Sequence, residues 1–153
     1  MTERDYPDSA DRRGEWTLAA DGPEFRVQVS VHPVLAQELM RRGDTPPPPV
    51  EGMALVDTGA SQTLVDERIV EQLSIPPMGT QRLRTFLSGD PVTLSTHFLR
   101  LELGNERPWE GIVVAAPLAV HRKETIVLVG RDLLRHARFV YDGRRARLLM
   151  EIR

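Results

Sequence analysis

A mainly-β domain, closed or barrel-like, is the fold class that this chain predicts, and three observations carry it. Short apolar runs recur along the chain. Among them Phe25, Val27, Val29 and Val31 alternate with polar residues, the period of a half-buried strand. Turn signals separate the runs, as at Asp21-Gly22-Pro23, Ser88-Gly89-Asp90 and Asp142-Gly143. Helical patterns are few and short, so one or two short helices accompany the strands. At 153 residues, with 41% hydrophobic and 27% charged, the chain has the size and composition of one globular domain with a packed core.

Taken in order, residues 1–14 are polar and predict a disordered N-terminal segment, with a single domain over 15–153. Glu15–Ala20 and Phe25–His32 read as two strands. Pro33 opens a short helical stretch, Val34–Arg42, which Gly43 ends. Pro46–Pro49 must be extended, because each proline restrains its own backbone and that of the residue before it. The insert over 33–49 thus combines a helix with a stiff connector. Gly52–Val56 is a short apolar strand running into Asp57, and Thr63–Val65 is another apolar step. Asp66 is a cap for a helix through Glu67–Leu73. Thr80–Leu87 and Pro91–Leu103 read as strands hinged at Ser88-Gly89-Asp90. Gly111–Ala116 and Glu124–Val129 are further apolar strands. Gly130 leads into a short helix, Asp132–His136, and a hairpin turning at Asp142-Gly143 closes the chain.

Composition excludes several functions. There is no cysteine, hence no disulfide, no thiolate metal site and no cysteine nucleophile. A chain without disulfides suits a reducing compartment. The first twenty residues show no signal peptide, and the longest apolar run, Ile112–Val120, is interrupted by Pro117 and too short to span a bilayer. A soluble cytoplasmic protein is the expectation. The net charge of −2 points to neither nucleic acid nor membrane as a partner. Acids crowd the first sixty residues and bases the last thirty-three. The cluster Arg144, Arg145 and Arg147 reads as a solvated hairpin face. His32, His97, His121 and His136 lack metal-ligand spacing, so no metal or cofactor is expected. Ser61 lacks the Gly-x-Ser-x-Gly elbow of serine hydrolases. Asp132 reads as a helix-start residue, and Trp16 and Trp109 as core or interface residues.

The chemistry concentrates in Ala54-Leu55-Val56-Asp57-Thr58-Gly59-Ala60-Ser61. Three apolar residues deliver a carboxylate to the point where a buried strand turns sharply. Gly59 admits the turn and lets another chain approach closely. Thr58 can hydrogen-bond backbone groups and stiffen the loop. A buried aspartate is costly unless paired or protonated, which is a reason to look for work it does. Alone, Asp-Thr-Gly also describes an ordinary turn after a strand. A second segment, Ile126-Val127-Leu128-Val129-Gly130-Arg131-Asp132-Leu133-Leu134, is an apolar strand, a glycine, then a helix, far enough downstream to leave room for a hairpin between.

Together, in this order and spacing, the two segments resemble the retropepsin-like aspartic peptidases, which carry apolar-apolar-Asp-(Thr/Ser)-Gly-Ala and, later, apolar-apolar-Gly. In retroviral members the second motif often continues Arg-(Asn/Asp)-Leu-Leu, as Arg131–Leu134 does here. The likeness covers the span from Val50 to Leu149. It implies a closed acid-protease barrel in which each of two identical chains supplies one Asp-Thr-Gly loop. The sequence agrees in having no second such triplet. By the same likeness Asp57 is the catalytic carboxylate, and Thr58 bonds across the two-fold axis. Gly59, Ala60 and Ser61 line the substrate. Val129, Gly130 and Arg131 support the loop from behind. The hairpin Arg84–Thr93, with Ser88, Gly89 and Asp90 at its tip, is the flap that covers the substrate.

The chain departs from that pattern in three places. Retroviral members commonly have Asp where Ser61 stands, paired with the Arg of the second motif, so Arg131 is expected to lack its usual carboxylate partner. The flap tip is not glycine-rich and apolar, and Asp90 near it favours basic or polar substrates. The 33–49 insert has no counterpart in the more compact viral members. The resulting expectation is a homodimeric aspartic endopeptidase with a peptide or protein substrate and no cofactor. The alternative is a non-catalytic peptide-binding or dimerisation module on the same fold.

Overall fold

The computed structural model describes residues 1–5, 22–84, 90–104, 107–118 and 124–153. In chain order these form strand β1 (Thr2–Asp5), β2 (Glu24–Val31), helix α1 (Pro33–Arg41), β3 (Val50–Val56), β4 (Leu64–Asp66), α2 (Glu67–Gln72), β5 (Pro77–Arg84), β6 (Pro91–Leu103), β7 (Trp109–Ala116), β8 (Thr125–Val129), α3 (Arg131–Leu134), β9 (Ala137–Asp142) and β10 (Arg147–Ile152). The described helices are thus three rather than one or two, all short.

Seven strands form one sheet in the order β2-β3-β8-β4-β7-β6-β5, and β2 also pairs with β6. That last pairing, Val27↔Leu103 through Val31↔Leu99, closes the sheet into a barrel. Closure explains the alternation seen in the sequence. Phe25, Val27, Val29 and Val31 of β2 turn inward with Leu99, Leu101 and Leu103 of β6, and all are buried. Each such side chain contributes roughly 1.5–3 kcal/mol by leaving water. Strand β8 lies between β3 and β4 and reads as a continuous apolar run because it is buried along almost its whole length.

Beneath the barrel, β1, β10 and β9 make a small antiparallel sheet. Its inward residues Leu148, Met150 and Ile152 are buried, and Phe139 meets Phe25 edge to face at 6.4 Å. Thr2–Asp5, within the segment 1–14 expected to be disordered, form strand β1. Thr2–Asp5 pairs with Met150–Arg147, and the Thr2 hydroxyl donates to the Leu103 carbonyl at 3.1 Å. Four residues carry too little periodicity to show a strand; the open edge of β10 supplies their partners. The predicted strand Glu15–Ala20, residues 6–14, Trp16 and His121 lie outside the described residues.

The helices obey local rules. Pro33 sits in the first turn of α1, where a missing N–H costs nothing, and the His32 ring caps the helix by accepting the Val34 N–H. At the other end Gly43, at φ 87°, lets Gly43 and Asp44 donate to the carbonyls of Met40 and Leu39. Asp66 caps α2 through the Arg68 N–H, as its place in the sequence predicts.

Candidate functional site

The barrel makes β3 and β8 parallel neighbours, with Val56 beside Val129. Parallel strands end on the same side, so the turn after Val56 and the turn after Val129 meet although some seventy residues separate them. Asp57 therefore stands next to Gly130. The Asp57 N–H donates to the Val129 carbonyl at 3.0 Å, and the Arg131 N–H donates to the Ala60 carbonyl at 3.0 Å, so the β3–β8 pairing continues into the loop.

Within the loop the Asp57 carboxylate folds back and accepts the Gly59 N–H at Oδ1, 2.8 Å away. This local turn orients the carboxylate. No bond to Oδ2 is present among the described residues. Asp57 is half-buried, whereas Thr58, Gly59 and Ser61 are exposed and Ala60 is half-buried. Gly59 is not in the left-handed region; its requirement is space, since a Cβ there would lie 3.0 Å from Asp57 Oδ1.

The second motif grips the first by three devices. Gly130 packs directly on the backbone, where a Cβ would fall 2.3 Å from the Gln62 carbonyl carbon. The Asp132 carboxylate accepts the Thr63 N–H at 3.0 Å, the Thr63 hydroxyl at 2.7 Å and the Leu133 N–H at 2.8 Å. The Thr63 hydroxyl in turn accepts the Gly130 N–H at 3.1 Å. Finally, Arg131 Nη1 donates to the carbonyls of Thr58 and Gly59, both at 2.9 Å. Among the described residues no carboxylate pairs with Arg131; two backbone carbonyls of the loop itself take its Nη1 instead.

Thr63 and Asp132 carry no site role in the sequence reading. A threonine six residues after an aspartate gives no signal, and Asp132 looks like an ordinary helix-start residue. The same holds for three leucines. Leu55 pairs with Leu128, and Leu128 with Leu64, so the three form one rank across β3, β8 and β4. Each is half-buried while Ala54, Val56, Val127, Val129 and Val65 beside them are buried. Leu55 lies two residues before Asp57, on the same face by strand alternation. An apolar floor therefore adjoins the carboxylate.

The hairpin β5–β6 is present, with Leu83 opposite Val92 and Arg84 opposite Pro91. Ser88 and Gly89, expected at its tip, lie outside the described residues; Asp90 is exposed at the start of β6. Among the described residues no group of three or more His, Cys, Asp or Glu is arranged to hold a metal ion. His97 is a core histidine: Nδ1 donates to the Ile75 carbonyl at 3.0 Å and Nε2 meets the Ser95 hydroxyl at 2.9 Å. No helix among the described residues is long and apolar enough to cross a membrane.

No family model matches the chain, and no curated protein does. Solved structures do. The chain is similar to the simian foamy virus protease, with TM-score 0.46 and 17% identity over 74% of this chain and 92% of that one. It is similar to a retropepsin-like aspartic protease from Rickettsia conorii, with TM-score 0.44 and 17% identity over 84% and 91%. It is also similar to the foamy viral protease-reverse transcriptase, with TM-score 0.46 and 17% identity over 72% of this chain, and it spans 11% of that protein's length.

Proposed function

We propose that the chain is an aspartic endopeptidase that works as a homodimer, each subunit supplying one Asp57. The observation that carries the reading is the Asp57 loop itself. One oriented carboxylate stands at the joined ends of β3 and β8, braced by Arg131 and by the Thr63–Asp132 clamp, with Thr58 and Gly59 exposed beside it. A chain with one such carboxylate meets the needs of peptide hydrolysis only when a second copy brings another, on a two-fold axis.

In that dimer the two carboxylates share one proton, because like charges at hydrogen-bonding distance do not both ionise. The ionised Asp57 takes a proton from water as the water oxygen attacks the peptide carbonyl carbon. The protonated Asp57 gives its proton to the carbonyl oxygen. On collapse of the tetrahedral intermediate, the Asp57 that took the water's proton passes it to the amine nitrogen as the C–N bond breaks, and the other recovers its proton from the gem-diol hydroxyl. Thr58 bonds across the axis, and Gly59, Ala60 and Ser61 meet the extended substrate. The leucine rank Leu55–Leu128–Leu64 takes an apolar side chain. Gln62 Oε1, buried with no hydrogen-bond partner among the described residues, is an acceptor suited to a substrate N–H. The β5–β6 hairpin closes over the peptide. No cofactor enters, no nucleic acid or membrane partner is invoked, and the absence of cysteine accords with work in the cytoplasm.

A peptide library at pH 4 to 7, treated with wild type and Asp57→Asn, tests the reading. Cleavage should fall by roughly 10²–10⁴-fold in the variant while the fold is kept. A transition-state mimic of the pepstatin kind should inhibit the wild type. Equal cleavage by both proteins ends the proposal. The second reading, a peptide-binding or dimerisation module without turnover, is favoured by Ser61 and by the charged Asp90 beside the hairpin turn. A dimer that binds extended peptides and never cuts them establishes it.

A further inference from the structure

Arg131 is exposed, and its side-chain bonds are made by Nη1 alone, to the carbonyls of Thr58 and Gly59. A guanidinium has five N–H donors in a rigid fork suited to a carboxylate. Among the described residues no acid pairs with this one. The neighbouring Asp132 is taken up by Thr63 and Leu133, and Asp57 by Gly59. Ser61, next to the Ala60 carbonyl that accepts the Arg131 N–H at 3.0 Å, brings no charge. A fixed cation with open donors therefore adjoins the exposed face of the loop that carries Asp57. Because Gly59 donates to Asp57 Oδ1 and accepts from Arg131 Nη1, one residue separates the cation from the reacting carboxylate.

We infer that Arg131 is a specificity-determining residue: it forms a subsite for a carboxylate, and so selects substrates with Asp or Glu near the scissile bond. The inference rests on the proteolytic reading above and adds the substrate class. Two-fold symmetry puts one such cation on each side of the scissile bond, so the preference repeats at corresponding positions on both sides. Asp90, exposed at the hairpin, favours the opposite charge at a different position, and scanning positions singly separates the two.

The test uses pairs of peptides that differ only by Glu or Gln at one position, scanned across the cleavage site with the wild-type protein. At one position on each side kcat/KM should favour Glu by about threefold to tenfold, the range of a partly exposed ion pair, and the ratio should shrink at about 0.5 M salt. R131Q should bring the ratio to about one whatever its remaining rate. S61D, which neutralises the cation without removing the brace, should do the same. R131K should keep part of the preference, as a point charge without the fork. The ratio is insensitive to a general loss of loop order, which lowers both peptides alike. The same pairs titrated against Asp57→Asn report the preference as Kd, so absent turnover counts against the proteolytic reading alone. A ratio of one at every position in both assays, or a preference that persists in R131Q and S61D, overturns the inference. So does an R131Q dimer that dissociates more readily while the wild-type ratio is one at every position, because the carboxylate then comes from the second copy.

Discussion

Gly130 has no side chain because there is no room for one. An added Cβ meets the Gln62 carbonyl carbon at 2.3 Å, its oxygen at 2.4 Å and the Thr63 nitrogen at 2.8 Å, all backbone atoms that cannot rotate away. Gly130→Ala should therefore destabilise by about 2–3 kcal/mol, read as a lower urea midpoint with unchanged m-value. Gly52 is the useful contrast. A Cβ there meets only the Ile126 side chain, at 2.6 Å, and a side chain can shift. A Gly52→Ala variant as unstable as Gly130→Ala would show that backbone contact is not what sets the difference. At Gly59 the clash is with Asp57 Oδ1 at 3.0 Å, so a substitution there moves the carboxylate and falls on activity before stability.

Helix ends decide two further outcomes. Helix α2 closes with the same pair of bonds as α1: Ser74 donates to the Glu71 carbonyl at 3.0 Å and Ile75 to the Val70 carbonyl at 2.9 Å. That closure puts Ser74 at φ 51°, a conformation that L side chains resist and glycine does not. Ser74→Gly should stabilise the protein by about 0.5–1 kcal/mol, seen as a higher Tm; a lower Tm would mean that the serine makes a compensating bond. In α1 the Glu38 carboxylate accepts from Arg41 and Arg42, and these bonds hold its pKa down at about 2. The folded value lies below the unfolded one, near 4.3. The pair's contribution is thus fully present above pH ~4.3 and is lost as pH falls toward 2. The pair is solvent-exposed, so the effect on stability is small and screened by salt. An NMR titration of the Glu38 carboxyl should show a midpoint near 2 that rises with added salt; a midpoint above 4 would dismiss the pairing.

At the scale of the molecule, the proposed homodimeric mechanism, with one Asp57 per chain, would make activity a property of the pair. Specific activity of the wild type should rise with protein concentration, following the monomer–dimer equilibrium. Mixing with excess Asp57→Asn should depress it further than dilution does, because mixed dimers hold one functional carboxylate. Activity that tracks the wild-type subunit alone would show that a single chain suffices. The architecture suits such an assembly. The braces on the loop come from the chain itself, through Gly130, Arg131, Asp132 and Thr63, so one subunit holds the loop in shape. Preorganisation of this kind would spare the proposed dimer the cost of ordering the loop.

The sequence by itself determined the local pieces. The alternation of β2, the bounds of β6 at Pro91–Leu103, the Asp66 cap and the two apolar runs ending at Asp57 and Gly130 are all properties of consecutive residues, and periodicity or turn chemistry reads them directly. Only the tertiary structure decided which pieces meet. The parallel pairing of β3 with β8, the leucine rank across β3, β8 and β4, the Thr63–Asp132 clamp and the hold of Arg131 on Thr58 and Gly59 join residues far apart in the chain. The burial of Glu24, whose carboxylate accepts the Thr125 hydroxyl at 3.2 Å, and the docking of Thr2–Asp5 on β10 were likewise invisible in advance. Register between distant strands is set by closure of the barrel, and closure has no local period for a sequence to display.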